Sequence, residues 1–179
     1  MKNLVLLLAI VSLVIFSSCG KDDDEVVLVN QILFEGAISE VTTGLVEDYG
    51  VDDQLGYYRK DFTVTDNTIS LSSENDPLFS TSTEVLVYAA LFSNSNQFTN
   101  GTFEYSSGTG NLPTNSFFLS AKFADDVTDA NSIEEATGGT IDIAGSANSY
   151  TITFNLTFDN NRTLTGNFTG DFLFSDKKE

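Results

Sequence analysis

The sequence lacks histidine and tryptophan and contains one cysteine and few basic residues. Without histidine, the chain cannot carry out Ser-His-Asp or Cys-His catalysis or bind zinc or iron through imidazole. A single cysteine cannot form an intrachain disulfide, so core burial alone must stabilise the fold. Eight basic and 26 acidic residues give a net charge of −18. This balance argues against nucleic acid as a partner, because binding to phosphate backbones requires Lys and Arg.

The N-terminus has the pattern of an export signal that ends at the only cysteine. Lys2 precedes an apolar run from Leu4 to Phe16, and Ser17-Ser18 stand directly before Cys19. The run is shorter than the roughly 20 residues of a spanning helix, which favours a cleaved signal over an uncleaved anchor. The segment resembles a bacterial lipoprotein signal, which implies cleavage after residue 18 and acylation of Cys19. An ordinary secretory signal with an incidental cysteine is the alternative.

The acidic segment Lys21-Asp22-Asp23-Asp24-Glu25 follows Cys19 and Gly20. Its composition predicts a solvated tether over residues 19–27. It also resembles the surface-export signal of Bacteroidota lipoproteins, which implies a lipid-anchored location on the outer face of the outer membrane. Stable anchoring requires more than one acyl chain. The residues of this signal are Lys21, Asp22, Asp23, Asp24 and Glu25.

The C-terminal third shows the periodicity of β-strands. Apolar and polar residues alternate from Tyr150 to Phe158, as expected for a strand with one buried face. The Asp159–Asn161 segment has turn chemistry, and a second strand is predicted from Leu164 to Phe174. Gly166 and Gly170 lie on its apolar face, which suggests a bulge or a tight bend.

Further segments rich in Val, Ile, Thr, Tyr and Phe complete an all-β prediction: a single antiparallel β-barrel or β-sandwich of about 8–10 strands over residues 28–176. Residues 129–136 are expected to form a turn or loop. The other predicted strands are Ile32–Thr42, Tyr57–Thr65, Thr68–Ser72, Glu84–Phe92, Gly101–Tyr105, Ser116–Phe123 and Gly139–Ile143.

Three motifs occur along the second half of the chain: Gly-Thr-aromatic-x-Tyr within Asn100–Tyr105, Gly138-Gly139 before a strand, and Leu-x-Gly-x-Phe-x-Gly from Leu164 to Gly170. With them, the region from Asn100 to Phe174 resembles small Bacteroidota outer-membrane lipoproteins with lipocalin-like or sandwich-like β domains. The first half of the chain matches only loosely. These motifs are structural, so the resemblance implies a fold and transfers no catalytic residue.

Two groups of residues are candidate ligand sites. Asp125, Asp126 and Asp129 form an oxygen-rich segment that could bind calcium, although neither this segment nor Asp159–Asn161 has the spacing of an EF-hand. Tyr49, Tyr57 and Tyr58 flank the loop from Gly50 to Gly56 and could line a ligand-binding rim; packing within strands is the alternative.

Three functions fit the sequence. The first is a non-catalytic surface module that binds a glycan, a protein or a small apolar ligand, and the second is a structural envelope protein without a ligand. The third is a glycoside hydrolase, which requires two carboxylates within about 10 Å of each other. Acids that could in principle form such a pair are Asp52, Asp53, Glu74, Asp76, Asp125, Asp126 and Asp129.

Overall fold

A computed structural model describes residues 29–52, 56–107, 113–117, 121–124 and 133–178. The predicted signal, Cys19 and the acidic segment from Lys21 to Glu25 therefore lie outside the described residues. The same holds for Asp53 and for the calcium candidates Asp125, Asp126 and Asp129.

The described chain is built from β-strands, with a single 3₁₀ turn at Asp159–Asn161. The strands are β1 (Gln31–Phe34), β2 (Ala37–Glu40), β3 (Thr43–Val51), β4 (Tyr58–Thr65), β5 (Ile69–Leu71), β6 (Pro77–Phe79), β7 (Leu86–Ser93), β8 (Gly101–Tyr105), β9 (Asn115–Phe117), β10 (Ala121–Ala124), β11 (Glu134–Glu135), β12 (Gly138–Ser146), β13 (Ser149–Thr157) and β14 (Thr163–Asp176).

Eight strands form a closed barrel in the order β3, β4, β7, β9, β8, β12, β13 and β14. The ring closes because β14 pairs with β3, and because β9 pairs with both β7 and β8. The all-β prediction is confirmed, and of its two alternatives, barrel and sandwich, the structure is the barrel. It is not purely antiparallel, since the β14–β3 and β8–β9 pairs are parallel. Parallel neighbours cannot be joined by a two-residue hairpin turn, and nine residues separate the end of β8 from the start of β9.

Four further strands extend the barrel wall, and two more form a hairpin of their own. The β1–β2 hairpin pairs with the first half of β14, the β10–β11 pair joins β7, and β5–β6 form a separate hairpin. The single strand predicted from Ile32 to Thr42 is wrong, because Glu35 and Gly36 adopt positive φ values of 49° and 86° and make a turn. The strand predicted from Ser116 to Phe123 is divided into β9 and β10. Residues 134–135, which were expected in a loop, form β11.

The barrel interior is filled mainly by phenylalanine and aliphatic side chains. On β13, buried residues alternate with exposed or half-buried ones, as the sequence predicts. Burial of one such side chain contributes about 1.5–3 kcal/mol. The largest fully buried aromatic side chains are Phe62, Phe103, Phe117, Phe154 and Phe158.

Close packing explains two glycines. A Cβ on Gly44 of β3 would lie 2.5 Å from the Phe172 ring, so this ring packs directly over the backbone. A Cβ on Gly166 would lie 2.2 Å from the carbonyl oxygen of Gln31. The β13–β14 register continues through both Gly166 and Gly170 without a shift, so the predicted bulge is absent there. At Gly166 the glycine is needed because the β1 backbone approaches it.

Candidate functional site

Half of the chain's eight basic residues gather at one end of the barrel. β3 carries the acidic pair Glu47-Asp48. Arg59-Lys60 lies beside it on β4, where Asp48 is paired with Lys60. Lys177-Lys178 lies on the other side, directly after β14, where the Lys177 amide donates to the Asp48 carbonyl at 2.9 Å.

Successive side chains of a β-strand point to opposite faces, so neighbouring charged residues lie on opposite sides of the barrel wall. This defines an outer cluster of Glu47, Arg59, Asp61, Tyr88 and Lys177, and a mouth cluster of Asp48, Tyr58, Lys60, Tyr150 and Lys178. The mouth cluster is on the inner face because the Tyr150 ring packs against buried Phe62, 5.3 Å between ring centres. A register shift between Asp48 and Gly50 marks a bulge at Tyr49.

In the outer cluster, Asp61 has hydrogen-bond partners on both carboxylate oxygens. Arg59 donates to it through Nε at 2.8 Å and Nη2 at 2.6 Å, and the Tyr88 hydroxyl donates to Oδ2. The Asp61 side chain is 2% exposed. The hydrogen bonds to Asp61 raise the pKa of Arg59, and burial raises the pKa of Tyr88. This arrangement is a saturated ion pair.

Glu47 is the second buried acid of the outer cluster and lies opposite Asp61 across the β3–β4 pair. Its closest cation is the ammonium of Lys177, 4.0 Å from Oε1. Burial is the main cause that raises the pKa of Glu47, and the negative charge of Asp61 adds to it. Glu47 and Asp61 are direct neighbours across the β3–β4 pair, but Asp61 is sealed from solvent and engaged by Arg59 and Tyr88. The geometry therefore gives no support to hydrolysis at this pair.

The mouth cluster is centred on the buried carboxylate of Asp48. Its Oδ2 atom contacts the Lys178 ammonium at 3.1 Å, the Tyr58 hydroxyl at 3.1 Å and the Lys60 ammonium at 3.4 Å. Its Oδ1 atom accepts from the Gly50 amide at 3.1 Å. Burial acts to raise the pKa of Asp48, but the donors together outweigh it, so the pKa is lowered.

Lys60 is weakly bonded for a nearly buried cation. Its side chain is 12% exposed. Its ammonium lies 3.4 Å from both the Asp48 carboxylate and the Tyr150 hydroxyl, beyond the 2.7–3.2 Å usual for such hydrogen bonds. The ring of Phe98 lies 5.3 Å away and that of Tyr150 5.9 Å away. An ammonium offers three donors, so Lys60 retains capacity for a further acceptor.

Phe98 covers this end of the barrel. It belongs to the connection between β7 and β8, and it stacks on Phe103 at 5.4 Å between ring centres. It also contacts Phe62 and Tyr58, at 5.8 and 6.5 Å. The next residue, Thr99, donates through its backbone amide to the Ser93 hydroxyl at 3.2 Å and through its own hydroxyl to Oδ1 of Asn115 at 3.0 Å. The cover is therefore held to the barrel by side-chain contacts, with no strand pairing of its own.

The barrel wall separates tyrosines that lie close together in the sequence, around the loop from Gly50 to Gly56. Tyr49 lies on the outer face, where the Arg59 guanidinium stacks 4.4 Å above its ring, and Tyr58 belongs to the mouth cluster. Tyr57 is half-buried just before β4. The three side chains therefore do not line one rim. Sequence reasoning missed Asp48, Lys60, Tyr150 and Lys178.

The described ranges contain no group of three or more acidic or cysteine side chains placed to hold a metal ion. They also contain no helix with the length and apolarity needed to cross a membrane.

Fold and site together define a small closed β-barrel protein with a filled interior and a charged mouth. Comparisons with known proteins found no matching family model, no similar curated protein and no similar solved structure.

Proposed function

We propose that this chain is a non-catalytic binding or accessory module, anchored by acylated Cys19 on the outer-membrane surface. The lipoprotein-like signal up to Cys19 and the acidic segment after it support the anchor and its address. The mouth cluster is the binding site in this proposal.

The observation that carries the binding role is the environment of Lys60. Binding sites combine aromatic walls with a few convergent polar groups. Here the rings of Phe98 and Tyr150 surround an ammonium whose two hydrogen-bond contacts are both long. The outer cluster argues against the hydrolase, because Asp61, one of its two acids, is already engaged by Arg59 and Tyr88.

A structural envelope protein without a ligand is the second candidate. The filled barrel favours it, since large side chains such as Phe62, Phe103 and Phe154 occupy the interior. In that case the mouth cluster would serve only to hold β3, β4 and the C-terminal segment together.

Protease treatment of intact cells tests the address. The wild type is expected to be cleaved on intact cells and to fractionate with the outer membrane. Cys19→Ala should leave the outer-membrane fraction, because it removes the acylated thiol. Replacement of Asp22, Asp23 and Asp24 by Ala should keep the protein in the membrane but protect it from protease.

Two outcomes would contradict the address. Cys19→Ala protein that still fractionates with the outer membrane would exclude the lipid anchor. A triple alanine variant that is cleaved as fast as the wild type would exclude the surface signal. Replacement of Ser17 by Ala, which keeps a small residue before the cysteine, is the matched control and should behave as the wild type.

A further inference from the structure

We propose that the mouth cluster binds the carboxylate of a small sugar acid, with Lys60 and Lys178 as its cationic contacts. This inference rests on the proposed binding function and names its ligand class. The side chains of Lys60, Lys178 and Asp48 sum to one positive charge within a chain of net charge −18. The exposed Asp176, which pairs with Asp48 across β14 and β3, adds a carboxylate at the edge of the site.

The charge balance selects the ligand. A monoanion would neutralise the excess charge of Lys60, Lys178 and Asp48. A phosphate dianion would exceed it and would also face the negative field of the whole chain. A bound carboxylate offers two oxygens, and both ammonium groups already contact the same Oδ2 atom of Asp48. They are therefore close enough for one carboxylate to bridge them.

The mouth cluster has hydrogen-bond donors that a bound carboxylate could use. Lys60 makes only two long contacts, and the Tyr150 hydroxyl accepts from Lys60 while its own proton has no acceptor among the described residues. Lys178 is 44% exposed and can turn from Asp48 toward a ligand at the rim. These groups supply charge-assisted hydrogen bonds, which are the stronger kind.

The aromatic residues indicate what is attached to the carboxylate. Phe98 and Tyr58 lie half-buried beside the lysines. One face of Phe98 is stacked on Phe103, so the exposed part of its ring and the Tyr58 ring are the apolar surfaces that remain for a sugar ring. Phe98 is on a connection between strands, so it can move aside for the ligand without breaking a strand pair.

The two described arginines already have acidic or carbonyl partners and are not open to a bound anion. Arg162 binds the Glu134 carboxylate through both terminal nitrogens and donates through Nε to the Asp159 carbonyl. Arg59 is likewise engaged by Asp61. Among the described side chains with positive charge, Lys60 and Lys178 at the mouth are the ones that the contacts leave able to take an anion.

Isothermal titration calorimetry of the full-length lipidated protein in detergent, at constant ionic strength, tests this proposal with glucuronate as the probe. Glucuronate is expected to bind, and glucose to bind about tenfold more weakly or worse, because it lacks the charged acceptor. Lys60→Met and Lys178→Met should each lower the affinity by about tenfold.

Lys177→Met is the matched control, because Lys177 adjoins Lys178 in sequence but lies on the outer face. It should leave the affinity for glucuronate unchanged. Phe98→Ala should weaken glucuronate more than it weakens acetate, since acetate has no ring to stack. Thermal unfolding of each variant verifies that the barrel is intact.

The outcomes separate this inference from the proposed function. Equal binding of glucose and glucuronate, unaffected by Lys60→Met, would keep a binding module and overturn the anion site. Tighter binding of glucose 6-phosphate than of glucuronate would overturn the choice of a carboxylate. A folded wild type that binds none of these probes would overturn the inference, and the result of the protease experiment would still stand.

Discussion

The outer and mouth clusters contain the same kinds of residues on two faces of one wall, yet they differ in how far their charges are satisfied. In the outer cluster, Arg59 and Tyr88 occupy both oxygens of Asp61 at short distances. In the mouth cluster, Lys60 makes only contacts of 3.4 Å. The number of charges is therefore a poor guide to a binding site, and the remaining hydrogen-bonding capacity of each group is a better one.

The largest expected effect comes from the outer cluster. Arg59→Met leaves Asp61 at 2% exposure without its cation, and we expect a loss of about 3–5 kcal/mol in the free energy of unfolding. Urea unfolding followed by circular dichroism measures this loss. The double variant Arg59→Met with Asp61→Leu should recover much of it, because no unpaired charge stays buried.

Lys60→Met is the matched substitution on the other face. We expect it to cost less than about 1 kcal/mol, because the lost hydrogen bonds are long and methionine fits beside Phe98 and Tyr150. Equal losses for Arg59→Met and Lys60→Met would remove the distinction between a saturated and an open cluster.

An effect smaller than that of Arg59→Met is expected where β3 pairs with β14, next to both clusters. Gly44→Ala places a Cβ 2.5 Å from the Phe172 ring, and overpacking of this kind costs about 1–3 kcal/mol. Gly138→Ala is the control, since its nearest neighbour, Cβ of Thr157, would be 3.5 Å away. The same urea titration should place Gly138→Ala near the wild type, and similar losses for both variants would exclude packing over Gly44 as the cause.

The smallest effects separate the two clusters by pH. The folded-state pKa of Glu47 is raised above its ordinary 4.5, so its ionisation lowers stability as the pH rises through the folded value. Glu47→Gln should therefore stabilise the protein at neutral pH and lose this advantage below about pH 4.5. The folded-state pKa of Asp48 is lowered below 3.8, so its contribution is present above 3.8 and is lost as the pH falls through the folded value.

Asp48→Asn should thus cost on the order of 1 kcal/mol at neutral pH and progressively less in acid. Urea unfolding of the wild type and both variants between pH 3 and pH 8 measures the two differences. Their opposite dependence on pH is the expected result, and parallel curves would contradict the assignment of Glu47 and Asp48 to different electrostatic surroundings.

The sequence predicts the C-terminal half of the barrel well, because strict alternation from Tyr150 to Phe158 indicates both the strand and its buried face. It fails at β3, whose segment carries Glu47 and Asp48 and is buried on both faces. Alternation cannot reveal such a strand, because neither face is exposed to water. The turn at Glu35-Gly36 was missed inside a stretch with strong β-propensity.

The mouth cluster was harder to predict than the fold. Arg59-Lys60 and Lys177-Lys178 are separated by most of the domain, and only the pairing of β3 with both β4 and β14 brings them together. One signal was available: two basic pairs in a chain with few basic residues, together with an acidic pair. It does not indicate which pairs meet, because that depends on a parallel closure that the sequence does not encode locally.

That closure also has a consequence for the order of assembly. β3 is near the start of the domain and β14 is at its end, and the partners Leu45 and Leu173 are far apart along the chain. Long-range pairings of this kind form late and slowly. If the chain is exported as we propose, the barrel stays open during passage across the membrane and closes only when the last strand has emerged. Lys178 is the second residue after β14, so the mouth cluster would be completed only at that final step.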